Sequence, residues 1–187
     1  NELLLASDTS FNTGESYSKW VAPAGGVAAG TVVTLNSFDT ATPAATTGTV
    51  SAVTFTGSSN RGLSATADSV YAYTAASDAT ANTPTAHLTY LNIGNAVDGQ
   101  IPASLSATQR ISFTDGRDTA YYTGTHIGQS TFAGYLTLLS NAANWSSATG
   151  GASSSLDATP FTVISLPTVN LSVSASSGSE AADTVIT

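Results

Sequence analysis

Apolar and polar residues alternate in several short segments of the chain, and each segment ends near Gly, Asn, Asp or Pro. A period of two residues is typical of a half-buried strand, and the flanking residues favour tight turns. In the clearest case, Tyr71 and Tyr73 lie on one face and Val70 and Ala72 on the other. The pattern predicts strands within residues 30–38, 48–57, 69–75, 86–94, 109–116 and 161–167.

One segment has helical periodicity instead. Its apolar residues are spaced i, i+3, i+4 and i+7, and they are Phe132, Tyr135, Leu136 and Leu139. That spacing predicts a short helix over about 130–141, with Ser130 or Thr131 as its N-cap. The Gly/Ser-rich residues 146–160 are predicted to form a loop. Many short strands and one helix predict an all-β protein, specifically a β-sandwich with a C-terminal extension strand.

The composition narrows the functional classes. Of 187 residues only 9% are charged, against about 25% in ordinary soluble domains, while 41% are apolar. Four basic residues face twelve acidic ones, so the net charge is −8. A nucleic-acid partner requires a basic surface, and an anionic membrane attracts one, so we expect neither partner. No apolar run approaches the ~20 residues that span a bilayer, so membrane insertion is not expected.

The chain contains no Cys and no Met. Disulfides, thiolate metal sites and cysteine nucleophiles are therefore excluded. Without an initiator Met, we expect a processed or partial chain. A secreted product whose targeting segment has been removed fits best, which predicts an extracellular or cell-surface location.

Two stretches resemble known families. The segment KWVAPAGGVAAGTVVTL (residues 19–35), with SATADSVYAY and FAGYLTLLSNAANW further on, resembles a β-sandwich module of large secreted bacterial and cyanobacterial proteins. The last residues, PTVNLSVSASSGSEAADTVIT, resemble the opening of a Calx-beta domain, a calcium-associated sandwich. We therefore expect a domain over residues 1–166 and an extension over 167–187. The family module begins with extra strands, so the resemblance implies an N-terminal strand deficit in this chain.

The extension supplies the first functional hypothesis. Its apolar residues alternate with polar ones, so that one strand face would be formed by Val169, Leu171, Val173 and Ala175. Such a strand can complete the sheet of a neighbouring subunit, in a groove bordered by Leu3, Leu4 and Leu5. Head-to-tail contacts of this kind propagate a filament of identical subunits. The alternatives are that the tail folds back on its own domain or marks an arbitrary end of the chain.

The candidates for chemistry are few. Asp115 and Asp118 lie in one turn and are candidate calcium ligands, with Asp68, Asp78 and Asp98 near other turns, although aspartates in turns commonly bond their own backbone. The two histidines are His87 and His126, and no zinc or hydrolase motif surrounds them. The sequons at Asn144 and Asn170 are short enough to arise by chance.

Eight aromatic residues are candidates either for a sugar-binding platform or for core packing, with Tyr71 and Tyr73 expected to be the most exposed pair. They are Trp20, Tyr71, Tyr73, Tyr90, Phe113, Tyr121, Tyr122 and Trp145. Together these patterns predict a non-enzymatic structural subunit of an extracellular filament or surface layer. The alternative is a non-catalytic adhesion or accessory module of a larger secreted, calcium-binding protein, with surface glycans as ligands.

Overall fold

In the computed structural model, short strands are the main regular secondary structure of the described residues. The structure describes residues 9–14, 16–37, 40, 42–54, 67–94, 101–113, 119–149 and 156–165. These residues contain nine strands and one α-helix. The all-β class with one short helix, predicted from the sequence, is thus confirmed.

The strands pair into four small sheets within the described residues. β5, β6 and β7 form the largest, in that order, with β5–β6 antiparallel and β6–β7 parallel. The pairs β1–β4, β2–β3 and β8–β9 are antiparallel. The bounds are β1 (Tyr17–Val21), β2 (Leu35–Asn36), β3 (Ala44–Ala45), β4 (Thr49–Val53), β5 (Ala67–Ala75), β6 (Pro84–Gly94), β7 (Arg110–Phe113), β8 (Thr119–Tyr122), α1 (Phe132–Leu139) and β9 (Trp145–Ala148).

The main hydrophobic cluster joins the β1–β4 pair to the β5–β6 pair. Tyr17 of β1 and Val53 of β4 belong to the same buried cluster as the cross-strand partners Tyr71 and Tyr90. The ring of Phe11 packs against Tyr71 at a centroid distance of 4.9 Å. Apolar faces of two sheets thus share one core, which gives the fold its sandwich-like character.

The prediction that Tyr71 and Tyr73 form the most exposed aromatic pair is wrong. Tyr71 is only 9% exposed, and Tyr73 packs against the same core. The Tyr73 hydroxyl donates to the carbonyl of Ala81 at 2.6 Å, which satisfies its polar end. Because both faces of β5 carry apolar residues, alternation alone did not reveal which face is inside.

A polar network is buried beside this core. Asn92 and Ser69 are both 0% exposed. The Asn92 amide donates to the Ser69 hydroxyl at 3.2 Å, and that hydroxyl lies 3.3 Å from the Tyr90 hydroxyl. Hydrogen bonding of this kind offsets the cost of removing polar groups from water.

Helix α1 is shorter than the predicted helix but begins where expected. The Thr131 hydroxyl accepts from the Gly134 amide at 3.2 Å, so Thr131 is the N-cap. Only Tyr135 of the predicted apolar face is fully buried, whereas Phe132 and Leu136 are 38% and 40% exposed. Leu139 is half-buried, so Tyr135 is the most deeply buried residue of the predicted face.

Three predicted segments need correction. Residues 30–38 were predicted as a strand, but only Leu35–Asn36 pairs among the described residues there. Residues 161–167 were also predicted as a strand, but within 161–165 Val163 forms only an isolated bridge to Gln129. Residues 146–160 were predicted as a loop, yet Trp145–Ala148 forms β9 against β8. Cross-strand pairing, which the local sequence does not reveal, decides all three. Among the described residues, no helix is long and apolar enough to cross a membrane.

Candidate functional site

The residues predicted to carry function lie outside the described part of the chain. This holds for the donated strand face, for the groove border and for the candidate calcium ligands. They are Val169, Leu171, Val173, Ala175, Leu3, Leu4, Leu5, Asp115 and Asp118. The extension 167–187 lies outside it as well, so these predictions stay predictions.

Other candidate residues make local structural contacts. Asp78 accepts from the Lys19 ammonium at 2.8 Å, and the Asp68 carboxylate accepts from the Ser69 amide at 2.7 Å. His87 packs beside the rings of Phe11 and Tyr73. Within the described ranges, no three His, Asp or Glu side chains group closely enough to hold a metal ion.

The candidate aromatic residues divide into two groups. Tyr71, Tyr73 and Tyr90 belong to the main core, and the Trp20 indole donates to the Thr47 carbonyl at 2.7 Å. The others gather around the paired strands β8 and β9. They are Phe113, Tyr121, Tyr122 and Trp145.

The side chain of His126 lies beside these aromatic residues and is held by a hydrogen bond and a ring stack. Its Nδ1 atom lies 2.6 Å from the Thr159 carbonyl oxygen, and its imidazole is stacked on Phe161 at 4.2 Å with an interplanar angle of 8°. A carbonyl oxygen only accepts, so Nδ1 carries the hydrogen. The other nitrogen, Nε2, lies 3.6 Å from Oδ2 of Asp157.

Asp157 is the exposed partner in this arrangement. Its side chain is 55% exposed, whereas that of His126 is 10% exposed. Hydrogen bonds from the hydroxyl and the amide of Thr159 lower the pKa of Asp157, and His126 lowers it further. Asp157 therefore presents an ionised carboxylate at neutral pH.

A network of contacting aromatic rings packs against the His126 side chain. Tyr122 packs against Trp145 at 5.6 Å and against Phe161 at 5.9 Å. Trp145 in turn packs edge-on against Phe113. Burial raises the pKa of the Tyr122 hydroxyl, with a further contribution from Tyr135, so it stays protonated and donates to the Thr125 carbonyl.

The segment 156–165 carries Asp157 and is held by backbone hydrogen bonds. The Phe161 amide donates to the Gly30 carbonyl at 2.8 Å, and the Thr162 amide to the His126 carbonyl at 2.9 Å. The Tyr135 hydroxyl also donates to the His126 carbonyl at 3.0 Å. Gly30 has φ of +84°, and a side chain there would overlap the Phe161 carbonyl, so this close approach requires glycine.

An open pocket of about 230 Å³ lies over the paired strands β8 and β9. It combines apolar side chains, aromatic rings and the His126–Asp157 pair. Its lining includes Val32, Val33, Leu35, Tyr121, Tyr122, His126, Trp145, Leu156 and Asp157. Tyr121, Tyr122 and Trp145 are half-buried, so part of each ring reaches solvent.

Sequence reasoning found only part of this site. Tyr121, Tyr122 and Trp145 were candidates for a platform, but no motif marked His126 as functional and Asp157 was not singled out. Asp157 lies far from His126 in sequence, in a segment predicted as loop. The sequence contained no local signal for their pairing.

Comparison of the chain with protein-family models, with curated proteins and with solved structures found no match. The predicted secreted β-sandwich module and the Calx-beta start therefore remain resemblances.

Proposed function

We propose that this chain is a non-catalytic adhesion or accessory module of a larger extracellular bacterial protein. The observation that carries the proposal is the open pocket, where half-buried rings and an ionised carboxylate meet on a charge-poor β scaffold. Aromatic rings with a few placed polar groups are the usual composition of a binding site. The extracellular location in this proposal is inferred from the composition of the sequence.

The orientation of His126 supports a binding role over catalysis. In a serine-type triad, one imidazole nitrogen contacts the carboxylate and the other contacts the nucleophile. Here Nδ1 bonds the Thr159 carbonyl and Nε2 faces Asp157. The nitrogen opposite the carboxylate is thus hydrogen-bonded to a backbone carbonyl, at the position where a triad has its nucleophile.

A binding and turnover assay on the intact chain tests this proposal. Labelled protein is incubated with bacterial cell envelopes and with isolated exopolysaccharide, then sedimented, and esterase and nuclease substrates are screened in parallel. We expect co-sedimentation without turnover. Turnover lost in His126→Ala but kept in His87→Ala would contradict the proposal, as would failure to sediment with either material.

Donation of the C-terminal strand to a neighbouring subunit is a second candidate function, and two features favour it. The chain is held as far as Ile164, whose amide donates to the Gln129 carbonyl at 2.9 Å, so the predicted donor strand follows a fixed anchor closely. In addition, β7 pairs with β6 on one side, and no other strand of the described residues pairs with it. An available sheet edge is what an added strand requires.

Electron microscopy and gel filtration of the purified chain test this candidate. The intact chain is compared with a variant lacking residues 167–187, and with Leu171→Ser and Val173→Ser, with and without a calcium chelator. The matched control is Ser172→Ala, on the opposite face of the predicted strand. Assembly lost with the apolar face but kept in the control supports strand donation, and a monomeric intact chain contradicts it. Chelator sensitivity tests the calcium prediction for Asp115 and Asp118.

A further inference from the structure

We infer that the pocket over the paired strands β8 and β9 binds one neutral sugar unit through a pair of neighbouring hydroxyl groups. The inference rests on the proposed binding role and specifies its ligand class. It follows from three properties of the site: two adjacent hydrogen-bonding groups, a one-sided aromatic surface and the absence of Lys and Arg from the described part of the lining.

The two polar groups are His126 Nε2 and the Asp157 carboxylate. Nδ1 is hydrogen-bonded to the Thr159 carbonyl, so Nε2 is the ring nitrogen that faces Asp157. The distance of 3.6 Å from Nε2 to Oδ2 exceeds that of a hydrogen bond, so each atom retains capacity for a ligand. A hydroxyl both donates and accepts, so adjacent hydroxyls of a pyranose can form one hydrogen bond to each group.

The rings form a surface on one side of the ligand, without surrounding it. Trp145 meets Tyr122 at an interplanar angle of 72° and Phe113 at 68°, so the rings are engaged edge-to-face with one another. A cage for a quaternary ammonium group needs several ring faces turned inwards. A partly exposed ring such as Tyr121 instead suits the C–H face of a sugar, and Leu156 extends the apolar contact.

Charge and size further restrict the ligand. The lining residues that the structure describes include no Lys or Arg, and the ionised Asp157 repels anions. A volume of about 230 Å³ is below the range typical of drug-sized ligands, ~300 to 1,000 Å³. A single neutral sugar residue, free or at the end of a glycan, suits both limits.

Saturation-transfer NMR on the intact chain tests the inference. The probes are the methyl glycosides of glucose, galactose, mannose and N-acetylglucosamine, each titrated in the millimolar range. We expect at least one to receive saturation, strongest at the C–H protons that face the rings. Asp157→Asn should weaken that binding roughly tenfold, because a hydrogen bond to a charged acceptor is lost.

The matched control is Asp78→Asn, an exposed aspartate remote from the pocket lining, which should bind as the parent does. Tyr121→Ala should also weaken binding, and thermal melting checks that each variant is folded. Binding of tetramethylammonium or butylammonium in place of every glycoside would overturn the inference. So would glycoside binding that is unchanged in both Asp157→Asn and Tyr121→Ala.

Different results would contradict the adhesion role and the sugar site. If the chain sediments with envelopes but binds no glycoside, the sugar site is wrong and the adhesion module stands. If it binds no surface material yet binds a glycoside through Asp157, the adhesion role is wrong and the sugar site stands.

Discussion

The imidazole of His126 lies flat on the ring of Phe161, with centroids 4.2 Å apart and planes within 8°. The neighbouring Thr162 amide bonds the His126 carbonyl, so backbone and side chain are held together. The stack therefore fixes both the position of Nε2 in the pocket and the path of the segment that carries Asp157.

Removing the Phe161 ring should loosen this segment. Phe161→Ala removes contacts to His126, Tyr122 and Tyr135. Because Phe161 is half-buried, we expect a loss below the full core value, about 2 kcal/mol in the free energy of unfolding measured with urea. Ligand binding at the pocket should fall with it.

Ile164→Ala is the control for Phe161→Ala. Ile164 is 50% exposed, and its backbone hydrogen bond survives the substitution. A change within about 0.5 kcal/mol is expected. Equal losses in the two variants would show that the ring network does not hold the segment.

Alanine substitutions at three glycines distinguish the cost of backbone conformation from the cost of steric crowding. Gly25 has open space, Gly26 has φ of +73° with open space, and Gly30 has both a positive φ and a steric block by the Phe161 carbonyl. Alanine should be neutral at residue 25, cost about 1 kcal/mol at 26 and cost more at 30. Thermal denaturation of the three variants gives the order, and an equal loss at 26 and 30 would contradict the close approach.

The pKa of Asp157 should depend on Thr159. The Thr159 hydroxyl and amide lower that pKa below 3.8, so Thr159→Val, which removes only the hydroxyl, should raise it. Since the folded-state pKa is depressed, the associated stability is present at neutral pH and is lost as the pH falls through the folded-state value. Carboxyl carbon NMR of the Asp157 side chain measures the shift, and Thr162→Val is the control.

The buried network should be sensitive to loss of its amide. Asn92→Ala removes donors to the Asp68 carbonyl and the Ser69 hydroxyl at a fully buried position. We expect a loss of about 2 to 3 kcal/mol in the free energy of unfolding. Thr74→Val, at an exposed position of β5, should change stability by less than about 0.5 kcal/mol, and a similar result for Asn92→Ala would show that the network contributes nothing.

The sequence predicted elements better than it predicted packing. Long alternating segments located β5 and β6, and the spacing from Phe132 to Leu139 located α1 with its Thr131 cap. It missed β1, β3, β8 and β9, because these short segments become strands only by pairing with other strands. Tyr71 and Tyr73 were expected to be the most exposed aromatic pair, but both pack in or against the core.

The sequence pointed to the aromatic rings of the candidate site but not to the His126–Asp157 pair. Tyr121, Tyr122 and Trp145 stood out as large residues in a Ser/Thr-rich chain. His126 and Asp157 meet only because the segment 156–165 returns to the start of α1. That return depends on long-range hydrogen bonds, which no local pattern records.

The bond between the Phe161 amide and the Gly30 carbonyl joins residues near opposite ends of the described chain. During synthesis, Gly30 emerges long before its partner does. Contacts of such large sequence separation are costly to close and are expected late in folding. The core around Tyr71 and Tyr90 can therefore form first, and the pocket is assembled only when the last described segment arrives.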